Sequence, residues 1–253
     1  MSDLVWQLSP SWDTSEGRAW CAVLPATVAA LPDSAVIHRG RNTLWRTAAL
    51  GRAVVIKRFG LPRSRLGRLA LRLRGSKAQR SMSAARRLAE RGFATPEPLA
   101  AVDVRSRASV ADCYYCCADQ PCRSSLAGAR DDVALAFDVG GFVARLHARR
   151  IQHRDLNATN VLLVDAAGDA RFSLIDLNRV RFGRVGTVRG LLNLQTLGYQ
   201  GAARAALIDG YHAERRRAPR WLMRSLDAAL GRMWRAWWFL KSTSRPLRRR
   251  LGR

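Results

Sequence analysis

The 253 residues carry 44 Lys and Arg against 19 Asp and Glu, a formal charge of +25, and 48% of them are apolar. That is enough for one large domain or two lobes with a real core, and the charge asks for an anionic partner: nucleic acid, an acidic membrane surface or a phosphorylated substrate. No run approaches 18 uncharged apolar residues, which excludes a membrane-spanning helix; Asp3, Pro10 and Trp12 interrupt any secretory leader, so the expected compartment is the cytoplasm.

Residues 1–33 hold Trp6, Trp12 and Trp20 among polar neighbours and read as an extension packed on the first lobe. From Ser34 to Phe59 three short strands are expected, with Arg41-Asn42 and Leu50-Gly51-Arg52 as turns. Residues 63–91 contain ten Lys or Arg and one acid, Glu90. Within them Ala78, Met82, Ala85, Leu88 and Ala89 set a helix over Ser76–Arg91, which Gly92 stops. Thr95-Pro96-Glu97-Pro98 forces extended backbone, and strands are expected at Leu99–Val104 and Ala108–Cys117.

Cys113 and Cys116 have C-x2-C spacing, yet no second pair lies at a suitable distance. Small buried apolar side chains are therefore the expectation for Cys113, Cys116, Cys117 and Cys122, with zinc the minor alternative.

A helix spans Asp131–Arg150, with Val133, Leu135, Phe137, Val139, Phe142, Val143, Leu146 and His147 among its apolar face. A strand at Val161–Val164 then turns through Asp165–Asp169 and returns over Phe172–Asp176. From about Thr187 the composition is helical.

The chemistry concentrates in His153-Arg154-Asp155-Leu156-Asn157-Ala158-Thr159-Asn160 and in Leu174-Ile175-Asp176. A hairpin would bring Asn160 and Asp176 to one point, where two hard oxygen donors suit Mg2+. Asp155 is then left to position or deprotonate a hydroxyl, the division of labour that phosphoryl transfer needs. Lys57 ends the strand Val54-Val55-Ile56, where its ammonium would meet nucleotide phosphates. His153 reads as structural.

These three segments resemble the protein-kinase-like superfamily. Within it, Asp155-Leu156-Asn157-Ala158-Thr159-Asn160, Leu174-Ile175-Asp176-Leu177-Asn178-Arg179 and Gly92–Leu99 resemble the bacterial lipopolysaccharide kinase family, whose members phosphorylate Kdo or heptose of the lipid A inner core. The resemblance covers about residues 34–215. It implies an α+β, compact bilobal protein-kinase-like fold, with a small antiparallel-sheet N-lobe at 34–119 and a mainly helical C-lobe at 120–253. It also implies an ATP-dependent phosphotransferase acting on a sugar or glycolipid. Asp155 would be the catalytic base or hydroxyl positioner; Asn160 and Asp176 would hold Mg2+; Lys57 and Gly40 would contact the nucleotide.

The chain departs from that pattern in three places. The first turn, His38–Thr43, offers only Gly40 in place of a glycine-rich loop. The helix at 76–91 lacks the usual glutamate for the strand lysine, leaving Gln79 as a candidate partner of Lys57. No Ala-Pro-Glu segment comes after Asp176, which argues against a regulated kinase of proteins. A kinase of a protein Ser or Thr, a kinase of a soluble small molecule, and a membrane-associated pseudokinase stay open.

Residues 215–253 hold thirteen Lys or Arg and one acid, Asp227, with Trp221, Trp234, Trp237, Trp238 and Phe239 among them. A helix over 220–240, limited by Pro246, would either pack these rings on the second lobe or lay them on an anionic membrane, the cytoplasmic face of the inner membrane. No nucleic-acid motif is evident, and oligomeric state has no sequence signal.

Overall fold

The computed structural model describes residues 3–62, 64–106, 109–215 and 219–250, with side chains at all of these except 65, 68, 72, 73 and 237–250. Chain contacts divide it into two units: Met1–Arg123 with Val164–Val180, and Ser124–Leu163 with Arg181–Arg253.

The first unit is built on one antiparallel sheet. Its strands are β1 (Asp3–Leu8), β2 (Val36–Arg39), β3 (Thr43–Ala49), β4 (Arg52–Arg58), β5 (Pro98–Arg105) and β6 (Val110–Ala118), in the order β1-β5-β6-β4-β3-β2. The three strands expected between Ser34 and Phe59 are β2 to β4. Leu50 and Gly51 turn β3 into β4 with φ of 50° and 72°, the paired positive values of a two-residue hairpin.

The first residues do more than pack on the sheet. Leu4 to Leu8 pair with Val104 to Ala100 and add an outer strand beyond β5. Their partners lie about a hundred residues on, so no local turn announces the pairing.

Period-two alternation sends opposite residues of each strand to opposite faces. One face carries Val54, Ile56, Val102, Tyr114 and Cys116 against Trp12, Cys21, Leu24 and Val28 of α1 (Ser15–Ala30) and the turn before it. The other carries Phe59, Ala101, Cys113 and Tyr115 against Ala78 and Met82. Two helices come after β4: α2 (Arg65–Arg74) and α3 (Lys77–Ala89), the latter the expected amphipathic helix.

Cys113 and Cys116 therefore lie on opposite faces of β6, a geometry that gives one metal ion no access to both. They are core side chains, as expected, and Cys117 is half-buried. Cys122 differs. It is exposed, because it lies beyond the end of β6.

The second unit holds α4 (Val133–Ala148), α5 (Thr187–Gln195), α6 (Gly201–Arg215) and α7 (Arg220–Arg250). Two glycines set its central packing. A Cβ on Gly140 of α4 would fall 2.1 Å from the Leu207 carbonyl oxygen, and one on Gly210 of α6 would fall 1.9 Å from that of Phe137. Only glycine lets the two backbones touch there.

Helix α7 runs past Pro246. The stop expected there does not occur. At the other end, Asp209 accepts from Arg220 and Arg224, and Asp227 is paired with Arg204. Trp221 is exposed rather than packed; Trp237, Trp238 and Phe239 lie outside the described side chains. Among the described residues no helix is long and apolar enough to cross a membrane.

Candidate active site

In the first unit the site grows from alternation in β4. Lys57 shares its face with Phe59, opposite Val54 and Ile56, and is in register with Tyr115 of β6. Its ammonium stands 5.1 Å from the Phe59 ring centroid and 2.5 Å from Asp176 Oδ1. The two side chains are only 14% and 23% exposed, so the attraction is screened less than in a surface pair.

Asp176 sits in left-handed backbone, at φ 57° and ψ 51°. Asp tolerates that region better than most residues, and such strain gathers at functional positions. Asn178 Nδ2 also donates to Asp176 Oδ1, at 2.6 Å, while residues 177–179 pack on α3.

Gln79 is not a partner of Lys57. Its backbone N–H donates to Ser76 Oγ and its Oε1 accepts from the Ser76 N–H, a capping box that starts α3. The charge that the helix lacks is supplied by Asp176, the one acid paired with Lys57 among the described residues.

Gly40 lies in the β2–β3 turn, where its N–H donates to the Asn42 carbonyl at 3.0 Å. This turn is tucked against Gly60. Asn42 Oδ1 accepts from the Gly60 N–H, and a Cβ on Gly60 would sit 2.2 Å from the Arg41 carbonyl oxygen.

Lys77, the first residue of α3, donates to the Gly60 carbonyl at 2.5 Å. Burial, then neighbouring Arg41, hold its ammonium below the ordinary lysine range. A second lysine beside Phe59 was not legible in so basic a sequence; Gly60, just after β4, was the available signal for a close approach.

The second unit holds the loop Asp155–Asn160. Asn157 Oδ1 accepts from the N–H groups of Thr159 and Asn160, folding a short helical turn. Asn160 Nδ2 donates to the Asp155 carbonyl at 2.8 Å. That bond fixes the amide so that its Oδ1 is the end left for another ligand. Thr196 donates to the carbonyl of Leu156, and Asn193 Nδ2 donates to that of His153 at 2.9 Å.

Behind Asn193 runs a buried relay with a determined direction. Arg215 can only donate, and does so to the Tyr211 hydroxyl at 2.8 Å. Asn193 spends its Nδ2 on the His153 carbonyl, so its Oδ1 can only accept, and on the neutral His147 ring Nδ1 then accepts from the Tyr211 hydroxyl, 2.9 Å away. Nε2–H donates to Asn193 Oδ1 at 3.1 Å. Burial, aided by the Arg215 charge, lowers His147 to about 4, so the neutral ring occupies this chain at neutral pH. Gly190 of α5 makes the room: a Cβ there would meet the Tyr211 hydroxyl oxygen at 2.2 Å.

Sequence reasoning treated His147 as one more residue of an apolar helix face and passed over Asn193, Tyr211 and Gly190. The structure thus joins Lys57 to Asp176 in one unit and Asp155 to Asn160 in the other. Among the described residues no cluster of three or more His, Cys, Asp or Glu could hold a metal. A phosphate-bridged Mg2+, which takes only one or two carboxylates and keeps waters, does not require one.

The sequence model of the lipopolysaccharide kinase (Kdo/WaaP) family matches residues 63–197. No curated protein matches the chain. Among solved structures, one of WaaP in complex with acyl carrier protein aligns at a TM-score of 0.59 and 23% identity, covering 92% of this chain and 97% of that one. A crystal structure of aminoglycoside-3'-phosphotransferase of type VIII aligns at 0.54 and 16% identity, over 82% and 97%. At those identities the two share the fold, which is the protein-kinase-like one. The family match covers more than half of the sequence, and the chain belongs to the lipopolysaccharide kinase (Kdo/WaaP) family of phosphotransferases.

Proposed function

We propose that the protein transfers the γ-phosphoryl group of ATP to a sugar hydroxyl of the lipopolysaccharide inner core, on Kdo or heptose. The observation that carries this reading is the 2.5 Å Lys57–Asp176 pair, which joins two residues 119 apart in sequence. Both belong to motifs whose resemblance assigns them to nucleotide and metal.

Each residue has a distinct task. Lys57, freed from Asp176 as nucleotide enters, binds phosphate oxygens, with Lys77 as a second cation near the Phe59 ring. The Gly40 turn approaches the nucleotide through its backbone. Asp176 and the Asn160 amide oxygen would be the oxygen donors that each unit contributes to a metal. Bound Mg2+ would neutralise charge on the transferring phosphate. Asp155 accepts or orients the proton of the acceptor hydroxyl, and the relay through Asn193 keeps its loop still.

The acceptor would be reached on the cytoplasmic face of the inner membrane. Exposed Trp221, beside Arg220 and Arg224, suits an anionic bilayer surface. The test is transfer from γ-labelled ATP, with and without Mg2+, to Kdo-lipid A, heptosylated core, a generic protein and no acceptor. Label on a glycolipid that disappears in Asp155→Asn supports the reading. Label on the protein alone would move it to a protein kinase. Folded protein that neither binds ATP nor transfers label would be a pseudokinase.

A further inference from the structure

The second unit contains a cavity of about 520 Å³ whose lining includes Gln152, Arg154, Arg181, Arg184, Arg189 and Trp234. That volume suits a small molecule of sugar size. Asn193 and Thr196 also line it, the two residues that hold the carbonyls of His153 and Leu156. The cavity therefore abuts the loop that carries Asp155.

Four arginines of this unit converge on that one cavity: Arg154, Arg181, Arg184 and Arg189. Arg145, Arg204, Arg220 and Arg224 are each paired with a carboxylate. Among the described residues, the side chains of Arg154, Arg181, Arg184 and Arg189 make no ion pair or hydrogen bond. Four like charges around one cavity repel one another unless an anion joins them. Guanidinium forks match phosphate and carboxylate oxygens, and stacking against an indole suits a sugar ring or a second guanidinium.

We infer that this cavity binds a negatively charged group of the acceptor saccharide, a phosphate or carboxylate distinct from the hydroxyl being phosphorylated. The inference rests on the kinase reading for the word acceptor, but its readout is binding without nucleotide. An acidic substituent seated there would fix the sugar beside Asp155, so one hydroxyl and not its neighbours would meet the carboxylate.

The full chain is titrated calorimetrically, without nucleotide, with four probes: a phosphorylated glucosamine disaccharide, its dephosphorylated form, free Kdo and inorganic phosphate. The expected result is at least roughly tenfold tighter binding of an acidic sugar than of the neutral disaccharide. The phosphorylated disaccharide and Kdo separate phosphate from carboxylate as the source. Arg181→Gln/Arg189→Gln should lose that preference while ATP affinity and the Trp-detected melting midpoint hold.

Equal binding of acidic and neutral sugars by the unaltered protein overturns the inference whether or not the variant folds. So does a folded variant that keeps the preference, or tight binding of inorganic phosphate with none for either acidic sugar. Label transfer to a glycolipid with unchanged acceptor KM in the variant would sink the cavity while sparing the kinase. Acidic-sugar binding with no transfer would do the reverse.

Discussion

The two units hold their functional residues by opposite physics. In the first, Lys57 and Asp176 are a charged pair in a part-buried setting, and Lys77 stands beside the same Phe59 ring as Lys57, among further cations. In the second, the Asp155 loop is held through its backbone carbonyls by Asn193 and Thr196, and behind them by a neutral, buried hydrogen-bond relay. A charged pair is easily reorganised by an incoming polyanion, because phosphate oxygens can replace the carboxylate. A directional relay of neutral groups has one satisfied arrangement and resists change. On the proposed function, the unit that carries Lys57 is built to exchange partners and the unit that carries Asp155 to stay fixed.

The largest expected effect separates chemistry from support. Asp155→Asn should lower kcat roughly 10²- to 10⁴-fold, the range for losing a positioned base, with little change in ATP affinity. The support should be visible in the variant Asn193→Leu, which deletes both amide contacts and should lower kcat as well as the melting midpoint. If Asn193→Leu melts early but turns over normally, the relay serves stability alone.

Proton linkage sharpens the contrast. His147 is buried with its pKa lowered from 6.5 to about 4. Between those values the unfolded chain binds the proton and the folded one does not, so stability falls as pH drops through this window. The expected loss is on the order of 3 kcal/mol. His147→Gln should flatten that part of the stability–pH curve, measured by urea unfolding at pH 7, 5.5 and 4.5. A curve unchanged by the substitution would show that the ring is not the neutral member of the chain.

Gly190→Ala is a smaller intrusion on the same relay. Its methyl would be aimed at the Tyr211 hydroxyl, and overpacking of this kind costs about 1–3 kcal/mol. The loss should appear together with a lowered kcat, because the relay supports the loop that carries Asp155.

How much of the molecule could be read from its sequence obeys the same division. Asp155, Asn160 and the Lys57–Asp176 partners stand in contiguous motifs, where spacing itself carries the chemistry. The sheet and the helix at 76–91 were legible because alternation and helical period are local. The relay was not: Asn193 and Tyr211 lie 46 and 64 residues from His147, and each alone resembles any core residue. β1 hid for a related reason, its partner strand being distant. The cavity arginines were invisible because 44 Lys and Arg in one chain dilute the information in any of them. Only their convergence on one cavity made these four distinctive.

Gln79 marks the limit of motif reasoning, and its substitution gives the smallest effect. A helix lacking glutamate suggests that the nearest amide takes over the strand lysine. The chain uses that amide to begin α3, through reciprocal bonds with Ser76. Gln79→Ala should therefore cost about 0.5–1 kcal/mol of stability, at the low end for lost caps. It should leave ATP KM unchanged, because Lys57 keeps Asp176. A rise in ATP KM without loss of stability would return Gln79 to the lysine, and the first unit would then rest on an amide as well as a charge. The expected outcome keeps the two tasks apart: α3 is started by neutral hydrogen bonds at Ser76, and the lysine is held by charge at Asp176.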